Sequence, residues 1–336
     1  MPWTTVDLRS RGRPHRPSRP DVSEAVLAQQ PRASQQDESR PAAFLVGPAR
    51  SGTSLLYKAL CLHPDAAYIS NWLRRFPGLP ALAAANRIAP RLPAVRRSVW
   101  FGDGSNAYVY GRRRSLARRA FPMPVEGEPV FAHCGTPAQV RVTDPEQHDA
   151  TAALRGAFDS IGRWDGGRIV ISKRIANNWR IPWLVAAFPD ARFVSIVRDG
   201  RAVAYSLSRV DWWEDNQIWW RSTTPRQWRE EGRDPWELCA QHWVDELEAV
   251  EAGLARVAPS QLLQVRYEEF IEDPLGALGR VAAFLGMGPV RPWLQELGQL
   301  RFPDRNERWR QELPAPVQAT IERIQRAALA DHGYVC

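Results

Sequence analysis

Residues 47–54, Gly-Pro-Ala-Arg-Ser-Gly-Thr-Ser, gather several groups able to grip an anion. The apolar run Phe44-Leu45-Val46 leads in, and Leu55–Leu60 leads out with helical character. Strand, tight loop and helix is the arrangement whose backbone N–H groups cradle phosphate. The spacing from Gly47 to Gly52 fits a nucleoside-triphosphate loop. Thr53, however, stands where such a loop carries lysine, and the strong cation, Arg50, lies inside the turn. The loop suits an anionic group but lacks the lysine that ATP and GTP enzymes set on the outer phosphates.

A second cation, Arg198, ends the predicted strand Arg192–Val197, with Asp199 beside it and Ser206 eight residues on. A triphosphate enzyme often sets an aspartate at such a strand end to hold magnesium. A cation there would bind a phosphate directly, and Ser206 could add a hydroxyl. The plainer alternative is that Arg198 and Asp199 form a local ion pair at a helix start, of little energetic weight. Lys173 ends the strand Arg168–Ser172, and Arg266-Tyr267 follows the strand Leu262–Val265. Lys173 and Lys58 are the two lysines of a chain otherwise basic through arginine, and Lys58 reads as an exposed helix residue. Arginine is always charged, whereas lysine offers a compact donor that can titrate.

These groups need a sheet to bring them together. Strand, helix, strand, helix from residue 168 onward argues for parallel pairing. In an open parallel sheet ligands bind beyond the carboxyl ends of the strands. The loop 47–54, Lys173, Arg198 and Arg266-Tyr267 all fall at such ends. Phe44–Val46 reads as a strand buried on both faces. Ser51 or Thr53 is the expected cap of a helix running to about Leu62, and Ala66–Ile69 is a short second strand. Helices are expected over Asp144–Asp159, Pro182–Phe188, Arg201–Arg209, Pro235–Leu254, Pro274–Leu285 and Pro316–Ala330. Residues 73–165 carry nine prolines, seven of them between Pro77 and Pro129, and read as an insertion of short helices and loops. Residues 1–40 are rich in proline and polar groups and read as a mobile basic tail, with a short helix at Asp21–Gln30.

Composition narrows the classes. At 336 residues and 44% hydrophobic, the chain can bury a sizeable core. Its net charge of +8 resides in 86–119, where nine arginines meet one acid, Asp103. No recognition-helix, zinc-finger or aromatic-sheet signature accompanies that charge, so nucleic acid is the minor reading. An anionic substrate, an acidic partner or a solvated basic face ranks above it. Cys61, Cys134, Cys239 and Cys336 are scattered without metal-ligand spacing, which suggests a reduced cytoplasmic setting and no structural metal. No apolar run is long enough to span a membrane. Fifteen tryptophans, with pairs at 212–213 and 219–220, serve either core packing or an apolar acceptor pocket. The stretch 211–228 is irregular enough to act as a lid.

Two separated anion sites without the loop lysine describe a nucleotide bearing phosphates at both ends of its ribose. Here the chain resembles the sulfotransferases that use 3′-phosphoadenosine 5′-phosphosulfate (PAPS). Arg50-Ser51-Gly52-Thr53-Ser54 is similar to their 5′-phosphosulfate loop, in the form found in tyrosylprotein and bacterial members. Arg198 through Ser206 resembles their 3′-phosphate motif, and Lys173, 25 residues before Arg198, has the spacing of the cytosolic members' lysine. Residues 265–274 resemble the family segment whose tyrosine, here Tyr267, lies against the adenine. Arg308-Trp309-Arg310 with Leu313 resembles its C-terminal segment. The resemblance covers about 42–72 and 168–336.

The resemblance implies an α/β fold: a P-loop-type parallel sheet flanked by helices, with a helical or irregular insertion after the first βα unit. It implies one sulfotransferase domain over 41–336, with 73–165 on the acceptor side. It also implies in-line sulfuryl transfer from PAPS to a hydroxyl or amine, with no metal. Arg50 and Lys173 are the implied catalytic groups. Arg50, Ser51, Gly52, Thr53, Ser54, Arg198, Ser206 and Tyr267 are the implied cofactor-binding set, and Arg305 joins it more loosely. The base departs from the family. The cytosolic histidine position is Ile175, and the tyrosylprotein glutamate position falls at Ser70 or Asn71. His133, Asp103, Asp211 and Glu214 are the substitutes on offer. The competing readings are a P-loop kinase with an altered loop and a non-catalytic nucleotide- or polyanion-binding protein. The acceptor, whether a small molecule, glycan or lipid, is left open, as is the oligomeric state.

Overall fold

The computed structural model describes residues 40–102, 119–136 and 148–334. The expected tail over 1–40, apart from Arg40, lies outside these residues, as do Asp103 and most of the basic run around 112–118.

Five strands form one parallel sheet: β1 (Ala42–Val46), β2 (Ala66–Tyr68), β3 (Ile169–Lys173), β4 (Arg192–Val197) and β5 (Leu262–Arg266). Their order is β2-β3-β1-β4-β5, so β1 is central, with β3 and β4 on either side. Such a point, where successive connections leave on opposite sides, opens a crevice at the carboxyl ends of the strands. The helices, in chain order, begin with α1 (Thr53–Leu60), α2 (Asn71–Arg75), α3 (Pro93–Phe101), α4 (Glu128–His133) and α5 (His148–Asp165). Next come α6 (Ile181–Ala187), α7 (Gly200–Leu207), α8 (Pro225–Glu230), α9 (Pro235–Leu254) and α10 (Tyr267–Glu272). The last are α11 (Pro274–Phe284), α12 (Arg291–Leu297), α13 (Arg308–Glu312) and α14 (Ala315–Asp331).

The continuous apolar run of β1 has a direct structural reason. Ala43 and Leu45 enter one core with α1 and α11, while Ala42, Phe44 and Val46 enter another with α5 and α6. Both faces of the strand are therefore covered, which removes the polar alternation of a half-exposed strand. Phe44 is fully buried and packs on Phe158, Phe188 and Phe193 at 5.9, 5.4 and 5.6 Å. Truncating it to alanine would cost about 3–5 kcal/mol.

The expected helix over 144–159 begins its described course at His148 and runs to Asp165. The insertion contains α2 to α5 and a 3₁₀ segment, Pro80–Arg91, and it follows the first βα unit and the short strand β2. Part of its basic character is structural. Arg96 is buried and pairs with Glu296, and Arg87 Nε donates to the carbonyl of Asp165 at 2.9 Å. Lys58, expected on an exposed helix face, is instead 1% exposed, and its ammonium donates to the carbonyl of Trp100 at 2.8 Å. The amphipathic spacing of α1 could not reveal this, because α3 of the insertion covers the face that would otherwise meet water. Cys61, Cys134 and Cys239 are buried, unbridged thiols. Among the described residues no helix is long and apolar enough to cross a membrane.

Candidate active site

The loop after β1 is shaped by two glycines. Gly47 has φ +142°, and a Cβ there would lie 2.2 Å from the carbonyl oxygen of Ile196 on β4. Only glycine lets the chain leave β1 so close to the neighbouring strand. Gly52 has φ +88°, and its Cβ would meet the Tyr267 ring at 2.5 Å. Gly52 is also the N-cap of α1, so the expected Ser51 or Thr53 cap does not form. No side chain caps that turn, and backbone N–H groups with the positive end of α1 face the loop. The Ser51 hydroxyl is buried with no partner among the described residues. A polar group so placed carries a desolvation cost until a ligand or water satisfies it.

Arg50 has φ +68°, a conformation that costs a non-glycine residue about 1–3 kcal/mol. Its surroundings hold it there. Its Nε donates to Ser206 Oγ at 3.0 Å, and its carbonyl accepts from Arg198 Nη1 at 3.1 Å. The start of the loop is clamped by Asn178, which accepts from the Gly47 N–H at 3.0 Å and donates to the Gly47 carbonyl at 2.9 Å. The Ala49 N–H donates to Glu246 Oε2 on α9 at 2.5 Å. Glu246 is wholly buried, and burial pushes its carboxyl up to about 8 against the pull of the Ala49 N–H and the Lys173 charge. His242, one turn earlier, lies 3.6 Å from it, and burial pushes that imidazole down to about 4. Near neutral pH the two are mostly a carboxylic acid beside a neutral imidazole rather than an ion pair.

Arg198 is buried at the end of β4. Its Nε donates to Asn306 Oδ1 at 2.9 Å and its Nη2 to the Arg305 carbonyl at 3.2 Å, and its guanidinium lies 4.3 Å from the centre of the Tyr267 ring. Among the described residues no carboxylate bonds to it. Asp199, considered as its ion partner, pairs instead with Arg201 at 2.8 Å and caps α7 by accepting from the Arg201 N–H. Arg305 contributes its backbone carbonyl. In the C-terminal segment Trp309 is buried, with the Arg201 guanidinium 4.7 Å from its ring centre.

Lys173, at the end of β3, is 4% exposed, and its ammonium pairs with Glu126. Glu126 also takes Arg174 Nη1 at 2.7 Å, and Glu128 takes Arg174 at 3.0 Å and Arg180 at 2.7 Å. Burial alone would raise the Glu126 carboxyl, but the charges of Lys173 and Arg174 hold it down at about 2. Sequence reasoning missed Glu126. The available signal was that Glu126 and Glu128 are the sole acids between Asp103 and Asp144 in an arginine-rich stretch. The four substitutes considered for the base fare differently. His133 and Asp211 are exposed, Glu214 pairs with Arg229 at 2.7 Å, and Asp103 lies outside the described residues. Asn178, Glu246 and Asn306 were likewise unforeseen, whereas Glu268 lies in the segment 265–274 already singled out, next to Tyr267. Glu268 accepts from the Asp199 N–H and from Asn306, both at 3.1 Å.

The tryptophans fall into two environments. Trp213, Trp228 and Trp243 are buried in the core around α7, α9 and α14. Trp179 and Trp220, 4.8 Å apart, line an open hollow of about 460 Å³ with Arg221 and Asp245.

A profile of the sulfotransferase family matches residues 41–290. Over 279 residues the chain is 30% identical to the omega-hydroxy-beta-dihydromenaquinone-9 sulfotransferase Stf3 of Mycobacterium tuberculosis, and equally to that of Mycobacterium bovis. The alignment covers 77% of this chain and 66% of each relative, so it spans just under two thirds of their length. The fold is similar to that of sulfotransferase STF9 from Mycobacterium avium, with a TM-score of 0.56 and 15% identity over 92% of this chain and 80% of that one. It is similar also to STF1 from Mycobacterium tuberculosis H37Rv, with a TM-score of 0.53 and 16% identity over 91% and 80%.

Proposed function

This chain belongs to the sulfotransferase family, and from that membership we propose that it transfers the sulfuryl group of PAPS to a hydroxyl on an apolar, lipid-like acceptor. The carrying observation is that Arg50 and Arg198 are hydrogen-bonded beside an uncapped helix turn, with Lys173 at the end of the adjacent strand β3. PAPS would supply a sulfuryl group already bonded to a phosphate leaving group. The chain's own groups suit that donor. The N–H groups of 51–54 and the hydroxyls of Thr53 and Ser54 would hold the phosphosulfate, with Arg50 above them. The partnerless Ser51 hydroxyl and the turn left to Gly52 fit such an occupant. Arg198 and Ser206 would take the 3′-phosphate, and Tyr267 would border the adenine. Lys173 would neutralise charge as it grows on the bridging oxygen, where preorganised donors act most strongly.

The apolar acceptor is supported by the mycobacterial relatives, named for a hydroxylated menaquinone, and by the half-buried tryptophans Trp179, Trp219 and Trp220. The buried thiols support a reducing, cytoplasmic setting. The test has two parts. Thermal stabilisation by 3′-phosphoadenosine 5′-phosphate (PAP) is compared with that by ATP and magnesium. Labelled PAPS is then offered with a panel of long-chain alcohols, phenols, sugars and tyrosine peptides. Stabilisation by PAP and label on a long-chain alcohol are expected. A preference for ATP, or label confined to sugars or peptides, would overturn the reading.

A further inference from the structure

Neither base position familiar in the family carries a base here, yet the place next to Ser70 and Asn71 is filled. Residues 121–125 run alongside the chain that leaves β2. The Val125 N–H donates to the Ile69 carbonyl at 3.0 Å, and the Asn71 N–H donates to the Met123 carbonyl at 3.0 Å. The Asn71 side chain completes the pairing by accepting from the Met123 N–H at 3.0 Å, and Ser70 pairs with Pro124 as an antiparallel bridge. Gly127 then packs so closely that a Cβ would lie 2.4 Å from the Ile69 side chain. Between Val125 and Gly127, both held against the end of β2, stands Glu126 with its carboxylate on Lys173. The insertion thus delivers a carboxylate to the strand edge from a different part of the chain.

We propose that Glu126 is the general base of the transfer and that it shares Lys173 with the donor. This assignment rests on the sulfotransferase reading above. In the step, a Glu126 carboxylate oxygen takes the proton of the acceptor hydroxyl. The acceptor oxygen forms its bond to sulfur while the bond from sulfur to the bridging oxygen breaks, and the electron pair of that bond stays on the 5′-phosphate. Protonated Glu126 then returns its proton to water, so the products are the sulfate ester, PAP and one proton. In the free protein Lys173 engages Glu126. When the Lys173 ammonium turns to the bridging oxygen, Glu126 loses one of its two cations and its proton affinity rises. The base therefore strengthens as the donor is engaged. The charged groups around it are Lys173, Arg174, Glu128, Arg180 and, behind the loop, Glu246. Arg174 keeps its hold and maintains the carboxylate in place.

A purely structural Glu126, serving only to park Lys173, makes a different prediction. Glu126→Gln and Glu126→Asp are compared with the unaltered protein for PAP affinity by calorimetry, and for PAPS consumption with two classes of acceptor. Water and 1-dodecanol must lose a proton, whereas p-nitrophenol at mildly alkaline pH is already ionised. Glu126→Gln is expected to bind PAP as tightly as the unaltered protein or a few-fold tighter. It should consume PAPS about 100-fold more slowly or worse with water or dodecanol, in the range of general-base catalysis. Transfer to p-nitrophenolate should survive within about 10-fold, because no base is needed there. Glu126→Asp should recover part of the lost rate. Equal losses on both acceptor classes, unchanged consumption with water and dodecanol, or a collapse of PAP affinity in both variants would overturn the assignment. Failure of the unaltered protein to bind PAP would instead overturn the donor reading beneath it.

Discussion

Arg50 Nε donates to Ser206 Oγ across 3.0 Å, joining two segments 156 residues apart. Arg198 closes the same junction from the other side through the Arg50 carbonyl. The segments 47–54 and 198–206 are therefore one hydrogen-bonded unit, in which the strained backbone of Arg50 is over-determined by its partners.

That junction separates the two partners by their effect on binding. Ser206→Ala removes a hydroxyl from the 3′ side and also loosens Arg50, so it should weaken both PAP and AMP, each by about 10-fold, as loss of a charge-assisted hydrogen bond does. Arg198→Ala should weaken PAP by roughly 100-fold and AMP far less, the scale of removing a buried charge partner. Calorimetric titration of both ligands into both variants measures this. Equal losses of PAP and AMP in Arg198→Ala would show that the 3′-phosphate lies elsewhere.

Lys173→Met should reduce turnover about 100- to 1,000-fold, as removal of a donor to developing charge does. PAP affinity should change by less than about 10-fold, because the loop N–H groups and Arg50 carry ground-state binding. The Glu126 carboxylate keeps Arg174, so the fold should survive. Steady-state rates with the best acceptor, paired with PAP titration, decide it. A larger loss in affinity than in turnover would remove the catalytic role.

Glu246 gives the stability of the protein a pH dependence of known sign. Its carboxyl is raised from 4.5 to about 8 in the folded state, so the fold holds this proton more tightly than the unfolded chain does. Its contribution is full below about 4.5 and is lost as pH rises through about 8. Glu246→Gln mimics the protonated acid and can still accept from the Ala49 N–H. Its melting temperature should match that of the unaltered protein near pH 4.5 and exceed it by a few degrees, roughly, at pH 9. Parallel melting curves across that range would contradict the assignment.

Arg96→Ala should destabilise the protein by about 3–5 kcal/mol, because it leaves Glu296 buried and unpaired. Arg96 and Glu296 are 5% and 12% exposed in their side chains, so water cannot replace the lost partner. Urea denaturation reads the change. Replacing both residues with apolar ones should recover much of it, and a single-variant loss under about 1 kcal/mol would show that the pair is solvated after all.

How much was legible follows from how local each signal is. The strand Arg192–Val197 and the helix Pro235–Leu254 were expected with the bounds they have, since periodicity and proline position fix both within a few residues. The two-face burial of β1 was visible in its unbroken apolar run. The α1 cap was misassigned because Gly52 takes the cap position in a left-handed conformation, where the Tyr267 ring, 215 positions away, leaves no room for a Cβ. Lys58 was misplaced because the insertion that buries it could not be read from its prolines.

The sequence by itself determined the sheet edge at which the groups proposed to hold the donor gather. Arg50 to Ser54, Lys173, Arg198, Ser206 and Tyr267 each follow a recognisable strand, and a parallel sheet must bring such ends to one edge. The tertiary structure decided what surrounds them: Asn178 and Glu246 beneath the loop, Asn306 on Arg198, and Glu126 on Lys173. These partners come from the insertion, from the side of α9, from the 3₁₀ turn after β3 and from the turn before α13. A carboxylate or amide there has no local periodicity to mark it, and only packing in three dimensions brings its oxygen within bonding distance of a cation or an N–H.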